Sequence, residues 1–221
     1  LAYNAGGDDD LLLEELMSAM ELAKEYLLMK RNFMLQFASK GSLPFLTQRP
    51  RGHPEYPPLV DLEGQSMIIG FSGANEMAQY HTGSALHESD DAVRFGIRTL
   101  VEMERIQREF SDHHGLQFAI ARTPAESTAS RFAVLDLVHF SKEATGVVKG
   151  DLTDWHARLR ANGRTGVPVY YTNGFMVEHG ANVPLDKKIT IESMPFRLLS
   201  GGNIVNVFLG EHAPDPDALF S

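Results

Sequence analysis

The residues best suited to chemistry lie in segment 123–132, which reads TPAESTASRF and follows the apolar run 116–121. Pro124 fixes a backbone angle that suits the first turn of a helix. A helix start exposes unpaired N–H groups and a partial positive charge, so it can bind an anion such as a phosphate. Glu126 would repel a phosphate unless it has a separate task, and accepting a proton from a hydroxyl is such a task.

The same segment also fits ordinary helix capping. Serine, threonine and glutamate are the residue types that capping selects at the start of a helix. Spacing alone favours capping over an anion site, so this segment needs support from the rest of the chain.

Segment 116–136 resembles the strand, Thr-Pro-Ala-Glu-Ser loop and helix of the anaerobic (class III) ribonucleotide reductases, which are glycyl radical enzymes. Three more blocks agree in order: IIGFSGANE at 68–76, YYTN at 170–173, and GGNIV at 201–205 leading to LGE at 209–211. Four ordered blocks are more specific than any one of them. Two positions depart from the family pattern: Ala74 stands where the family often has a second apolar residue before the Asn-Glu pair, and Gly174 stands where it often has a polar serine.

The resemblance implies reduction of ribonucleoside triphosphates to deoxyribonucleotides. A thiyl radical removes the ribose 3′ hydrogen, a carboxylate takes the 3′-hydroxyl proton, and the 2′-hydroxyl leaves as water. By its match to the family motif, Glu126 is the predicted proton acceptor and the only predicted catalytic residue. The predicted substrate-binding residues are Thr123, Ala125, Ser127, Thr128, Ala129, Tyr171, Asn173 and Asn75. Capping explains Asn75 nearly as well as substrate contact does.

The resemblance further implies a glycyl radical, a structural zinc site, a radical S-adenosylmethionine iron–sulfur activase and a homodimer in the complete enzyme. The chain has no cysteine, so we expect the thiyl cysteine, the four-cysteine zinc site and the glycyl radical loop in regions outside it. No cofactor and no metal site are expected in this segment. We expect an incomplete piece of a reductase that has no turnover by itself.

Composition narrows the classes of partner and compartment. The net charge is −9, with 20 basic against 29 acidic residues, so we expect no general nucleic-acid surface. No apolar run reaches the roughly 18 residues of a membrane span. The absence of cysteine fits a reducing compartment. These features predict a cytoplasmic protein that binds neither nucleic acid nor membrane, and the resemblance implies that its ligand is a ribonucleoside triphosphate.

Hydrophobic periodicity predicts the elements that position the candidate residues. We expect helices at 11–38, 74–80 and 89–114, and a fourth that begins in the 123–132 segment and ends at about residue 140. We expect strands at 66–71, 116–122, 167–172, 189–192 and 204–209. The alternation predicts an α/β fold with parallel strands. The resemblance sharpens this to part of the ten-stranded α/β barrel of glycyl radical enzymes. We expect a flexible start at 1–10, a partial barrel at 11–210, a polar excursion at 146–165 within it, and a truncated linker at 211–221.

Three other functions remain open at this point. A glycyl radical enzyme of the acyl-lyase type would share the barrel but would not bind a nucleoside triphosphate. A non-catalytic nucleotide-binding module would bind the triphosphate and tolerate Glu126→Gln. A structural or assembly fragment would do neither, and its long methionine-rich helix at 11–38 would be the working surface.

Overall fold

The computed structural model describes residues 1–50 and 53–207. In these residues the α-helices are α1 (Ala2–Ala5), α2 (Asp9–Ser39), α3 (Pro44–Thr47), α4 (Ala74–Thr82), α5 (Asp90–His114), α6 (Glu126–His139), α7 (Ser141–Ala144), α8 (Trp155–Asn162) and α9 (Leu185–Ser193). The strands are β1 (Met67–Gly70), β2 (Phe118–Ala121), β3 (Lys149–Gly150) and β4 (Val169–Tyr170), and short 3-10 turns lie at Arg164–Gly166 and Met194–Arg197.

The central pair of strands, β1 and β2, is parallel and runs in register from Met67 opposite Phe118 to Gly70 opposite Ala121. Helices α4 and α5 form the crossover between the two strands, as parallel pairing requires. Gly202 adds a parallel bridge beside Ala121. This arrangement confirms the predicted α/β class, whereas β3 and β4 pair antiparallel.

Two apolar clusters hold the helices to these strands. In the first, α2 and α5 pack over β1 and β2 through Leu12, Leu100, Met103 and Ile120, each no more than 4% exposed. In the second, α6 packs on β4, and Trp155 of α8 belongs to the same cluster. That cluster includes Ala129, Ala133, Val134, Leu137, Trp155, Val167, Val169 and Tyr171.

Local sequence signals fix the ends of the long helices. Asp8 caps α2 by accepting hydrogen bonds from the Asp10 and Leu11 amides, as its position before an apolar helix predicts. Ser89 caps α5 by accepting from the Asp91 amide, and α5 ends at Gly115, which has a φ of +62°. These caps explain why the two longest helices have nearly the predicted bounds.

Several segments differ from the sequence-based expectation. Residues 189–192 are not a strand but part of α9, because Glu192 is buried in an ion pair with Arg122 and lies one turn after Lys188. The 146–165 segment contains β3 and α8, and residues 1–10 include α1, whose Ala5 is buried. Residues 204–207 form no strand in the described structure, while 208–209 and the predicted linker at 211–221 lie outside the described residues.

None of the helices within residues 1–50 and 53–207 combines the length and the apolar character that crossing a membrane needs.

The packing of α2 makes a matched prediction about stability. Leu12→Ala should lower the free energy of unfolding by about 2–5 kcal/mol, because it leaves a cavity in the first apolar cluster. Leu22→Ala makes the same change on the same helix at a side chain that is 73% exposed, and should cost less than about 0.5 kcal/mol. Urea unfolding of both variants measures the difference; equal losses would contradict the placement of α2.

Candidate functional site

The carboxyl ends of β1 and β2 bring two of the sequence blocks together. After β1 the chain turns at Gly73, which has a φ of +80°, into α4, and after β2 it turns through 122–125 into α6. A Cβ atom on Gly70 would lie 2.8 Å from Thr123 Oγ1, so the glycine lets Thr123 pack directly on β1. In parallel α/β folds, ligands bind at such carboxyl edges.

Helix α6 begins at Glu126 without a side-chain cap. Its N-cap residue is Ala125, whose methyl group accepts no hydrogen bond, and the Ala125 carbonyl oxygen accepts from the Ala129 amide at 2.8 Å. The Ala129 amide is therefore used inside the helix. Among the described residues no side chain caps the amides of residues 126–128, so side-chain capping does not account for this segment.

Glu126 lies exposed in the first turn of α6, as does Ser127, while Thr123, Ala125 and Thr128 are partly buried and Ala129 is fully buried. The Glu126 carboxylate is one of the charges that act on the His179 imidazole. Burial lowers the pKa of His179, Lys188 and Arg122 lower it further, and Glu192 and Glu126 oppose them. The Glu126 carboxylate therefore contributes to the electrostatic environment of His179.

The Asn75–Glu76 pair is buried and fastens α4 to the segment after β4. Glu76 Oε2 accepts hydrogen bonds from the Thr172 amide at 3.1 Å and from Thr172 Oγ1 at 2.8 Å. Asn75 Nδ2 donates to Glu76 Oε1 at 3.1 Å, and Asn75 Oδ1 accepts from the Leu86 amide at 3.0 Å. Burial raises the pKa of Glu76. The structure gives Asn75 an internal role, and its contact with substrate stays a prediction.

Tyr171 and Asn173 face different surroundings. The Tyr171 hydroxyl donates to Asp136 Oδ2 at 2.9 Å and shares a 2.8 Å hydrogen bond with the Tyr3 hydroxyl, and burial raises its pKa. Its hydroxyl thus contacts the body of α6 rather than the helix start. The Asn173 carbonyl oxygen accepts from Arg122 Nε at 2.9 Å, whereas its buried side-chain Oδ1 accepts no hydrogen bond from the described residues. Asn173 therefore has an unused acceptor.

Sequence reasoning missed Arg122 and Glu192, which form a buried ion pair with Nη1 and Oε2 2.9 Å apart. The available signal was weak: an arginine at the end of an apolar strand, and a glutamate at the end of a run that reads ITIE. His179, on the segment after β4, was missed as well.

Two further features bear on ligands. A cavity of about 440 Å³ lies between α2, α5 and β1, and Tyr3, Glu76, Asp136 and Tyr171 are among the residues that line it. Within residues 1–50 and 53–207 no three His, Asp or Glu side chains come together in a way that could hold a metal ion.

The neighbourhood of Glu126 makes a prediction that NMR can check. The imidazole of His179 should titrate below its ordinary value of 6.5, because burial disfavours the charged form. Glu126→Gln should lower the midpoint further, since the carboxylate favours the imidazolium. Glu14→Gln, at an exposed position on α2, should leave the midpoint unchanged. A midpoint that does not respond to Glu126→Gln would show that the two groups are far apart.

Comparisons with known proteins agree with this architecture. The family model described as anaerobic ribonucleoside-triphosphate reductase matches residues 1–221, whereas no curated protein matches the chain. A Thermotoga maritima anaerobic ribonucleotide reductase with citrate in the active site is 20% identical, with a TM-score of 0.71 over 93% of this chain and 33% of that one.

Two other structures show the same fold. One described as anaerobic ribonucleotide reductase is 21% identical, with a TM-score of 0.74 over 99% of this chain and 31% of its own. The Thermotoga maritima reductase in complex with dATP and CTP is 20% identical, with a TM-score of 0.67 over 91% of this chain and 29% of its own. The chain spans about a third of the length of these solved relatives. Because the family model matches residues 1–221, the chain belongs to the anaerobic ribonucleoside-triphosphate reductase family.

Proposed function

We propose that this chain supplies the phosphate-binding helix start and the proton-accepting carboxylate of a ribonucleoside-triphosphate reductase. The observation that carries the proposal is the uncapped start of α6 with Glu126 in its first turn. Family membership supports the reaction class, and a family structure in complex with dATP and CTP supports a nucleotide ligand.

In this proposal the phosphates bind the amides of residues 126–128 together with the hydroxyls of Ser127 and Thr128. Amide N–H groups at a helix start donate to phosphate oxygens, and the helix dipole favours their charge. Thr123 and Ala125 shape the turn that presents these donors. The charge on the triphosphate and the charge on Glu126 repel one another, so the carboxylate contacts the sugar rather than the phosphates.

Glu126 accepts the proton of the ribose 3′-hydroxyl. Once the adjacent 3′ carbon carries the unpaired electron, that hydroxyl becomes more acidic, and a carboxylate forms a strong charge-assisted hydrogen bond with it. The 2′-hydroxyl then leaves as water once it has taken up a proton from a donor elsewhere in the complete enzyme. The unused Oδ1 of Asn173 accepts a hydrogen bond from a sugar hydroxyl, while Tyr171 acts through its packing against α6.

The residues of this chain cannot hold every group that the reaction uses. The sequence has no cysteine, so neither the thiol that starts the radical reaction nor a four-cysteine zinc site can be built from it. We propose that both, with the glycyl radical, belong to other parts of a complete enzyme. That enzyme would be a cytoplasmic homodimer with a ten-stranded α/β barrel, activated by a radical S-adenosylmethionine protein.

The proton-accepting role predicts a specific loss of turnover. In a complete reductase that contains this chain, Glu126→Gln should lower kcat by about 10²–10⁴-fold, because the amide cannot take the proton. Binding of the ribonucleoside triphosphate, measured by calorimetry, should change little. Glu14→Gln is the control for loss of one negative charge. Parental turnover in Glu126→Gln would rule out this role.

The phosphate-binding role predicts a charge effect at residue 127. Ser127→Asp places a negative charge at the helix start and should weaken triphosphate binding by about tenfold or more, or about 1.4 kcal/mol. Ser127→Ala should change binding far less, because the amides remain. Calorimetry with the matching nucleoside, which has no phosphate, is the control; a similar loss for nucleoside and triphosphate would place the phosphates elsewhere.

A further inference from the structure

We propose that Arg122 is a positioning residue for this site: paired with Glu192, it fixes the loop that carries Asn173 against the segment that carries Glu126. This inference rests on the proposed function and adds a residue to it. Arg122 lies four positions before Glu126 in the sequence.

The ion pair is fully enclosed. The Arg122 side chain is 2% exposed and the Glu192 side chain is not exposed at all, and their Nη1 and Oε2 atoms lie 2.9 Å apart. Removing two charges from water is costly, and the attraction between them offsets that cost only with good geometry and additional hydrogen bonds. Such a pair is weak evidence for a contribution to stability, so its other contacts indicate its role.

Both members of the pair hold the same loop. Arg122 Nε donates to the Asn173 carbonyl oxygen at 2.9 Å, and Nη1 donates to the Phe175 carbonyl oxygen at 3.4 Å. Glu192 Oε1 accepts from the Val177 amide at 3.1 Å and also pairs with Lys188. Residues 173–177 are therefore tied to β2 through the arginine and to α9 through the glutamate.

The aliphatic stem and the main chain of Arg122 make further contacts with these segments. Gly174 has a φ of +73°, and a Cβ atom there would lie 2.8 Å from Arg122 Cγ, so the loop lies directly on the arginine stem. The Arg122 amide donates to the Gly202 carbonyl oxygen at 3.0 Å. Asn203 Nδ2 donates to the Glu192 carbonyl oxygen at 2.8 Å. Arg122, Asn173 and Gly202 belong to three different sequence blocks, and these blocks meet at Arg122.

This placement determines where Asn173 lies relative to Glu126. Displacing a substrate-contacting group by about 1 Å can lower a rate by about 100-fold, even when the altered residue never touches the substrate. A guanidinium can serve Glu192 and both carbonyl groups at once because its donors form a rigid planar fork. A lysine ammonium is a point charge on a flexible stem and cannot.

The test uses a complete reductase that contains this chain. Arg122→Lys should lower kcat by up to about 100-fold while KM for the ribonucleoside triphosphate stays near the parental value, because the phosphate-binding helix start is untouched. Arg105→Lys makes the same change in an exposed ion pair with Glu102 on α5 and should leave both constants unchanged.

A double-mutant cycle separates positioning from a general structural role. If Arg122 acts through Asn173, then Arg122→Lys should cause little further loss of kcat in an Asn173→Ala background. A loss of the same size in both backgrounds, within about twofold, would overturn the proposal. So would parental kcat in the single variant.

Glu192→Gln provides a second route if Arg122→Lys does not fold, because it keeps the side-chain shape and an acceptor for the Val177 amide. It should lower kcat and speed hydrogen exchange at the Val177 amide; parental values of both would overturn the proposal. Failure of the proposed function is distinguishable, since it would appear as parental turnover in Glu126→Gln.

Discussion

Two buried carboxylates, those of Glu76 and Glu192, organise the structure around the main chain of residues 172–177. A carboxylate shielded from water is stable only when hydrogen bonds and opposite charges replace its hydration. Glu76 obtains them from Thr172 and Asn75, and Glu192 obtains them from Val177, Arg122 and Lys188. The same bonds that satisfy the carboxylates fix the path of the loop after β4, and that loop carries Asn173 to the edge where α6 begins.

Much of this architecture follows from local sequence. The apolar runs that become β1 and β2, the serine before α5, and the Glu102–Arg105 pair on its exposed face all have local physical causes that a sequence displays. The strand predicted at 189–192 failed because isoleucine and threonine favour strands locally, whereas the burial of Glu192 against Arg122 is a contact between distant segments. Such contacts leave no periodic trace in the chain.

In the candidate site, too, some features follow from the local sequence and others do not. A strand followed by Pro124 and a cluster of hydroxyl residues locates the start of α6 to within a residue or two. The direction of each side chain cannot be predicted in this way, because it depends on which partners surround it. Tyr171 and Asn173 are two positions apart, yet their side chains have different partners. The Tyr171 hydroxyl donates to Asp136 on α6, whereas the Asn173 Oδ1 accepts no hydrogen bond from the described residues.

The contact between Gly174 and Arg122 limits which side chains these two positions can carry together. The left-handed backbone of Gly174 and its close approach to the arginine stem leave no room for a side chain, such as the serine that the resemblance led us to expect. The bulky residue at 122 and the missing side chain at 174 therefore compensate for each other. A larger side chain at residue 174 would therefore need a smaller one at residue 122, which would remove the buried ion pair with Glu192.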